Sequence, residues 1–370
     1  MTSTEIAVHA QLLDCLQANL AVLADRHHGS GTHLALGAAL RFRPTAGTGA
    51  LPTVEPSLAG HLTDAGRFLG LLVTAQWQHV TPARLADLSS QHGELYVVAD
   101  AHDLPWTPYH GQLHLEHSFL VDSGPAGAMI TDAYQNLTPW GSAVPGRWEV
   151  DWAKLPTADH VVALASTATV PAATPVIDMA DPAHYLDAYA RHADRVAALR
   201  RLTLETWLLA RSRRLHAGFR ARSGTPPTGE VEEHLHGWDL LAEQSYLAAR
   251  RVERGRREPA GLLARLGQAL AADREVFAGA GEPSPGQVRD TVAGIVAAVL
   301  GTKIERVLAE PELTLLPGFD SMRVVEVVAR LEERLGVEFD PDDLLPENLH
   351  HLDGLCRLAA GSTGAMGEAT

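Results

Sequence analysis

Pro317-Gly318-Phe319-Asp320-Ser321-Met322, followed by Arg323-Val324-Val325-Glu326-Val327-Val328-Ala329-Arg330-Leu331-Glu332-Glu333, sets a turn against the start of an amphipathic helix. Asp is a favoured N-cap, so Asp320 puts Ser321 in the first turn, where backbone N–H groups have no partners inside the helix. An anion attached to that serine would sit at the positive end of the helix dipole. Met322, Val325, Val328, Ala329 and Leu331 recur at helical spacing and predict one buried face, with Arg323, Glu326, Arg330, Glu332 and Glu333 left to solvent. Upstream, residues 288–300 have the same period and predict a first helix, followed by a long loop. Downstream, Gly336 ends the second helix, and Val337-Glu338-Phe339 leads into short helical stretches at 342–345 and 352–358. Residues 286–360 hold 14 acidic against 7 basic side chains.

The Gly-x-Asp-Ser-hydrophobe turn, the helix order, the acidity and the Leu-Gly-Val-Glu-Phe that follows together resemble the prosthetic-group site of acyl and peptidyl carrier proteins. The resemblance implies a four-helix carrier domain over 287–360, with 4'-phosphopantetheine on Ser321 installed by a phosphopantetheinyl transferase. Met322 stands where that family most often has Leu, a swap that conserves volume and apolarity.

The rest of the 370-residue chain is long enough for one or two further domains. Apolar residues make up 46% and charged ones 20%, the composition of a folded globular protein. A net charge of −15 argues against a general nucleic-acid binder. The polar start and the lack of an 18-residue apolar run predict neither a signal peptide nor a membrane span, hence a cytoplasmic protein. Cys15 and Cys356 are the two cysteines, too few and too far apart for a disulfide framework or a Cys-based metal cluster.

Composition divides the chain into a mixed α/β part over 1–175, an Ala/Leu/Arg-rich helical region over 176–278, a Gly/Pro-rich linker at 279–286, the carrier over 287–360 and a disordered tail at 361–370. In the first part, residues 12–23 read as a buried helix. The runs 95–99, 118–121, 128–131 and 161–164 read as strands. The helical region reads as a bundle interrupted at 223–229, and the whole as a multidomain α+β protein.

Cys15 opens a predicted helix, where the dipole and free N–H groups would favour the thiolate and lower its pKa. An isolated cysteine there also fits a small core residue. Further on, His117 begins one β-prone run and Thr131-Asp132 ends the next; a hairpin would bring the two together. The order Cys, His, Asp matches papain-like enzymes. Residues 8–150 also resemble the family named for the butirosin-biosynthesis protein H N-terminal domain, through the early Cys, Asp100-x-x-x-Leu104-Pro105-Trp106-x-Pro108, the His-rich strand and the following Asp.

That resemblance implies a papain-like domain with Cys15 as nucleophile, His117 as general base and acid, and Asp132 orienting the imidazole. His114 is the rival base, on the opposite side of a strand. A metal site at His102, His110, His114 and His117 is a weaker reading, since no second ligand set supports it. Gln11 is a candidate oxyanion-hole side chain. The implied activity is acyl transfer from a thioester on Ser321 through Cys15 to a small-molecule amine in specialised-metabolite or antibiotic biosynthesis. A thioesterase and a non-catalytic carrier scaffold are the alternatives. No adenylation or ketosynthase signature is present, so loading falls to an enzyme in trans.

Two further readings concern the helical region. Arg191, Arg195, Arg200, Arg201, Arg211, Arg213 and Arg214, with Arg250, Arg251, Arg254, Arg256 and Arg257, form either a basic face for the acidic carrier or ordinary solvated helix faces with Glu partners. Trp207, Trp238 and Tyr246 read as core rather than as a substrate box.

Overall fold

In the computed structural model, residues 8–47, 51–279, 285–335, 339–340 and 343–365 are described, without the side chains of 278–279, 285–288, 321, 333–335, 346 and 360–365. Linker residues 280–284, Gly336, Val337, Glu338 and Asp342, and tail residues 366–370, lie outside the described residues. The chain forms two units, residues 1–222 with 226–276 and residues 223–225 with 277–370.

In chain order the strands are β1 (Ala39–Phe42), β2 (Thr45–Ala46), β3 (Pro52–Thr53), β4 (Leu71–Val80), β5 (Leu95–Asp100), β6 (Glu116–Ser123), β7 (Ala128–Asp132), β8 (Asn136–Thr138), β9 (Gly141–Ala143), β10 (Gly146–Val150), β11 (Ala158–Ser166) and β12 (Val176–Met179). Six of them make an antiparallel sheet in the order β10-β7-β6-β5-β11-β4. The apolar runs at 95–99 and 118–121 are continuous because both faces are covered. Tyr96, Val98 and Leu120 face a core shared with α1 (Gln17–His28). Leu95, Val97, Phe119 and Val121 face a second core, which Leu85 and Leu88 of α3 (Pro82–His92) also enter. Between those helices lies the short α2 (Leu58–Asp64). β4 pairs only with β11 in the sheet and shows Leu72 and Val73 to solvent, an edge strand without an inward apolar rhythm.

The helical region opens with a strand, β12, which pairs in parallel with β1. Then follow α4 (Ala183–Arg191), α5 (Arg195–Arg222), α6 (Gly229–Glu253) and α7 (Leu262–Gly279). Ion pairs Arg200–Glu253 and Arg214–Asp239 show α5 and α6 to be antiparallel. This region does not stand apart from the α/β part. A Cβ on Gly37 would fall 2.3 Å from the Leu215 carbonyl oxygen of α5, and His216 Nδ1 donates to Gly37 O at 2.7 Å. Close backbone packing at Gly37 therefore joins α5 to the N-terminal core.

Residues 277–370 hold α8 (Pro285–Leu300), α9 (Ile304–Ala309), α10 (Ser321–Leu335), α11 (Pro346–Leu349) and α12 (Leu352–Ala365) around one core. α9 occupies part of the stretch read as loop, and α12 runs five residues into the stretch read as a tail. The predicted buried face of α10 holds at Val328 and Leu331 but not at Met322, Val325 and Ala329. Val324, Val327, Val328 and Leu331 are buried, while Met322 is 77% and Val325 63% exposed. The valine-rich run 324–328 supports either phase, and packing against α8 and α12 selects the one that starts at Val324.

Candidate functional site

Cys15 lies in a turn leading into α1. The Ala18 N–H donates to Asp14 O at 3.0 Å, and the Asp14 carboxylate caps the turn by accepting from the N–H groups of Leu16 (2.9 Å) and Gln17 (2.8 Å). The turn is clamped onto β6 on either side of His117. Cys15 Sγ donates to Glu116 O at 3.4 Å, and Ser118 Oγ donates to Cys15 O at 2.5 Å. Buried Asn19 extends the clamp to the next strand, giving its amide to Ser118 O (2.8 Å) and accepting from the Ala133 N–H (3.0 Å). The Tyr96 hydroxyl of β5 donates to Leu16 O at 2.9 Å.

The hairpin register pairs Leu120 with Thr131, which puts His117 and Asp132 on one face of the sheet. His117 Nε2 lies 2.7 Å from Asp132 Oδ2, and both residues are buried. A carboxylate can only accept, so Nε2 carries the proton and Nδ1 keeps its lone pair in the neutral ring. Among the described residues that buried Nδ1 has no hydrogen-bond partner. Asp132 is held by two more donors, Trp106 Nε1 (3.2 Å) and the Tyr134 N–H (2.9 Å).

The electrostatics of the thiol reverse the expectation from helix position. Burial pushes the Cys15 thiol well above its ordinary value, and the carboxylates of Asp14, Glu55 and Asp132 add to the rise. The dipole of one capped turn does not offset these terms, so the thiolate needs a proton acceptor beside it. His61 approaches the same carboxylate, its Nε2 3.7 Å from Asp14 Oδ2.

Cys15 opens into a cavity of about 660 Å³, within the size range of small-molecule sites. Its walls come from the Cys15 turn, residues 134–140, α5 and α6, and include Tyr109, Tyr134, Trp140, Trp207 and Tyr246. Trp207 thus packs against the N-terminal core and also lines the cavity, while Tyr246 lines it as an exposed ring. Trp238 is a core residue, its Nε1 3.0 Å from Asp273 Oδ1. Arg211 sits 4.2 Å over the Trp207 ring and donates to the carbonyl oxygens of Ala10 (3.0 Å), Leu13 and Gln135 (2.8 Å), which ties α5 to the Cys15 segment.

Other candidates fall elsewhere. The His114 side chain is 73% exposed and paired with Asp100, and His102 is paired with Asp103. Gln11 is exposed and does not line the cavity. Most arginines of the supposed basic face are held by carboxylates of the same unit: Arg191 by Asp187, Arg195 by Glu258, Arg200 and Arg250 by Glu253, Arg201 by Glu55 and Glu205, Arg213 by Asp273 and Arg214 by Asp239. Asn19, Ser118 and His61 carried no sequence signal, because each is defined by a partner distant in the chain; Trp106 stood in the Leu104-Pro105-Trp106 motif, but its bond to Asp132 was not readable there.

In the C-terminal unit α10 begins at Ser321, whose side chain lies outside the described residues. Asp320 caps it, accepting from the N–H groups of Met322 and Arg323 at 2.9 Å each. Gly318 takes a left-handed φ of +84°, which turns the chain into that cap without a Cβ penalty. Exposed Met322 and Val325 leave the helix start open to solvent.

Residues 290–358 match the family model described as phosphopantetheine attachment site. The C-terminal unit is therefore a carrier domain, and 4'-phosphopantetheine is its prosthetic group. Comparison with curated proteins finds no match. The capped, open helix start suits a phosphodiester on a serine, since the dipole favours an anion there. Among the described residues, no helix is long and apolar enough to cross a membrane.

Proposed function

We propose that the chain is a cysteine-dependent acyltransferase that moves an acyl group from a carrier thioester, through Cys15, to an amine. Ser321 is the attachment residue in this reading, and the phosphopantetheine arm supplies the thiol on which the acyl group travels. Carrier domains depend on a phosphopantetheinyl transferase, and an acyl-loading enzyme acts in trans. One observation supports the reading above the others. The ring of His117 is fixed by Asp132 through Nε2 while its buried Nδ1 has no hydrogen-bond partner among the described residues, on the strand to which the Cys15 turn is clamped.

The side chains then divide the work. His117 takes the Cys15 proton at Nδ1, and the sulfur attacks the thioester carbonyl carbon. His117 would then return that proton to the leaving sulfur, and Cys15 would keep the acyl group. His117 next accepts a proton from the incoming amine as the amine nitrogen bonds to the carbonyl carbon and the Cys15 sulfur leaves. Asp132 stabilises the imidazolium in both halves, as the orienting carboxylate of a triad does. Exchange between thioesters is near thermoneutral, and amide formation drives the sequence.

The test is intact-protein mass spectrometry after treatment with a phosphopantetheinyl transferase and acyl-CoA, on wild type, Ser321→Ala and Cys15→Ala. Wild type gains the acylated arm and loses the acyl group when amines are added; Cys15→Ala gains it and keeps it; Ser321→Ala never gains it. Loading of Ser321→Ala sinks the attachment residue. Equal turnover in wild type and Cys15→Ala sinks the cysteine enzyme.

A further inference from the structure

The cavity beside Cys15 has a chemical bias beyond its size. Three of its walls present aromatic rings: Trp140 from the 134–140 segment, Trp207 from α5 and Tyr246 from α6. Trp140 is 44% and Tyr246 38% exposed, so these rings are open to an occupant. Four carboxylate residues line the same space: Asp14, Glu55, Glu116 and Glu243.

The positive groups nearby offset this only in part. Arg200 lines the cavity but its Nε is held by Glu253 at 2.6 Å. Arg201 pairs with Glu205 and with Glu55, which takes up the charge of Glu55 and leaves Glu116 and Glu243. Arg211 keeps its charge but directs its N–H groups to the carbonyl oxygens of Ala10 and Gln135. Asp14, also in the wall, faces His61. Carboxylates set among ring faces favour an organic cation with an apolar body, through Coulomb attraction and cation–π contact. They disfavour a ligand that carries its own carboxylate.

We infer that this cavity selects the acceptor, and that the acceptor is an arylalkyl monoamine without a carboxylate, bound as its ammonium form with the ring among Trp140, Trp207 and Tyr246. The inference rests on the acyl-transfer reading for the word acceptor, and on the cavity alone for the chemistry of the ligand. To react, the bound ammonium gives up one proton to solvent, and the free amine then attacks acyl-Cys15 as above.

Calorimetric titration of the full chain carrying Cys15→Ala measures binding apart from turnover. The probes are phenethylamine, 2-phenylethanol, butylamine and phenylalanine. Phenethylamine is expected to bind at least tenfold more tightly than each of the other three. Glu243→Gln shrinks its margin over 2-phenylethanol several-fold, and Tyr246→Ala shrinks its margin over butylamine. Equal affinity for 2-phenylethanol or phenylalanine overturns the charge argument, equal affinity for butylamine overturns the aromatic one, and no binding by any probe overturns both. Turnover of acylated wild type is scored separately. If phenethylamine leads the binding series yet no amide forms with any amine, the acyl-transfer reading fails and the ligand class stands. If amides form with no preference among amines, the ligand class fails and the transfer stands.

Discussion

The two candidate reactive groups of this chain are delivered in opposite ways. Ser321 is presented by one local segment: Gly318 makes the turn, Asp320 caps it, and the helix begins. Cys15, His117 and Asp132 come from a loop and two strands, and Ser118 reaches Cys15 across 103 residues of sequence. A local device is robust to changes elsewhere, whereas an assembled one depends on the groups that clamp its parts together. The comparison also predicts where substitutions act. Around Ser321 they divide by helix face; around Cys15 they divide by hydrogen bond and charge.

The largest effect is expected at His117. In the proposed mechanism the imidazole accepts the thiol proton, so alkylation of wild-type Cys15 by iodoacetamide should vary little between pH 6 and 8. In His117→Ala the thiol stands alone with a raised pKa, so it is protonated throughout that window. The rate should climb about tenfold per pH unit and fall short of wild type by on the order of a thousandfold at pH 6. Identical pH profiles would remove His117 from the cysteine's chemistry.

Next comes Asn19, the clamp between the cysteine helix and both strands. Asn19→Ala strands a buried carbonyl and a buried N–H, at a cost of about 2–4 kcal/mol. All seven tryptophans lie before residue 239, so tryptophan fluorescence during urea unfolding follows the first unit alone. A loss under about 1 kcal/mol would show that the three elements hold together without it. In the carrier, Leu331→Ala should cost about 2–3 kcal/mol in the unfolding phase seen by circular dichroism but not by tryptophan fluorescence. Met322→Ala should change that phase by less than about 0.5 kcal/mol, since Met322 faces solvent. A cost above about 1 kcal/mol at Met322 as well would restore the buried face read from sequence.

The same contrast accounts for what was legible beforehand. The Asp320 cap and the β-prone runs at 95–99, 118–121, 128–131 and 161–164 follow from local chemistry, and each run lies inside a strand of the structure. The phase of α10 does not, because a run of valines fits two faces and only tertiary packing chooses. β4 escaped because an edge strand with Thr74, Gln76, Gln78 and His79 has no inward apolar rhythm. The hairpin that joins His117 to Asp132 was readable from two β-prone runs. The cavity was not, since α5 and α6 bring Trp207 and Tyr246 to it from positions that also fit a bundle core.

Asp14 gives the smallest and most selective test. Its carboxylate caps the turn before α1, and it raises the Cys15 pKa more than any other charge. Asn caps a helix about as well as Asp, so Asp14→Asn keeps the turn and removes the charge. Losing a negative neighbour favours the thiolate, which lowers the thiol pKa and raises the thiolate fraction at any pH below it. In a His117→Ala background, where the thiol reports its own environment, alkylation at pH 8 should therefore speed up about three- to tenfold, with the unfolding midpoint of the first unit unchanged. His61→Gln in the same background should act the other way or not at all, since any positive charge it loses was the one facing Asp14. An unchanged rate in Asp14→Asn would mean that burial alone holds the thiol protonated, and that the long-range clamp, rather than the local charge, sets the reactivity of Cys15.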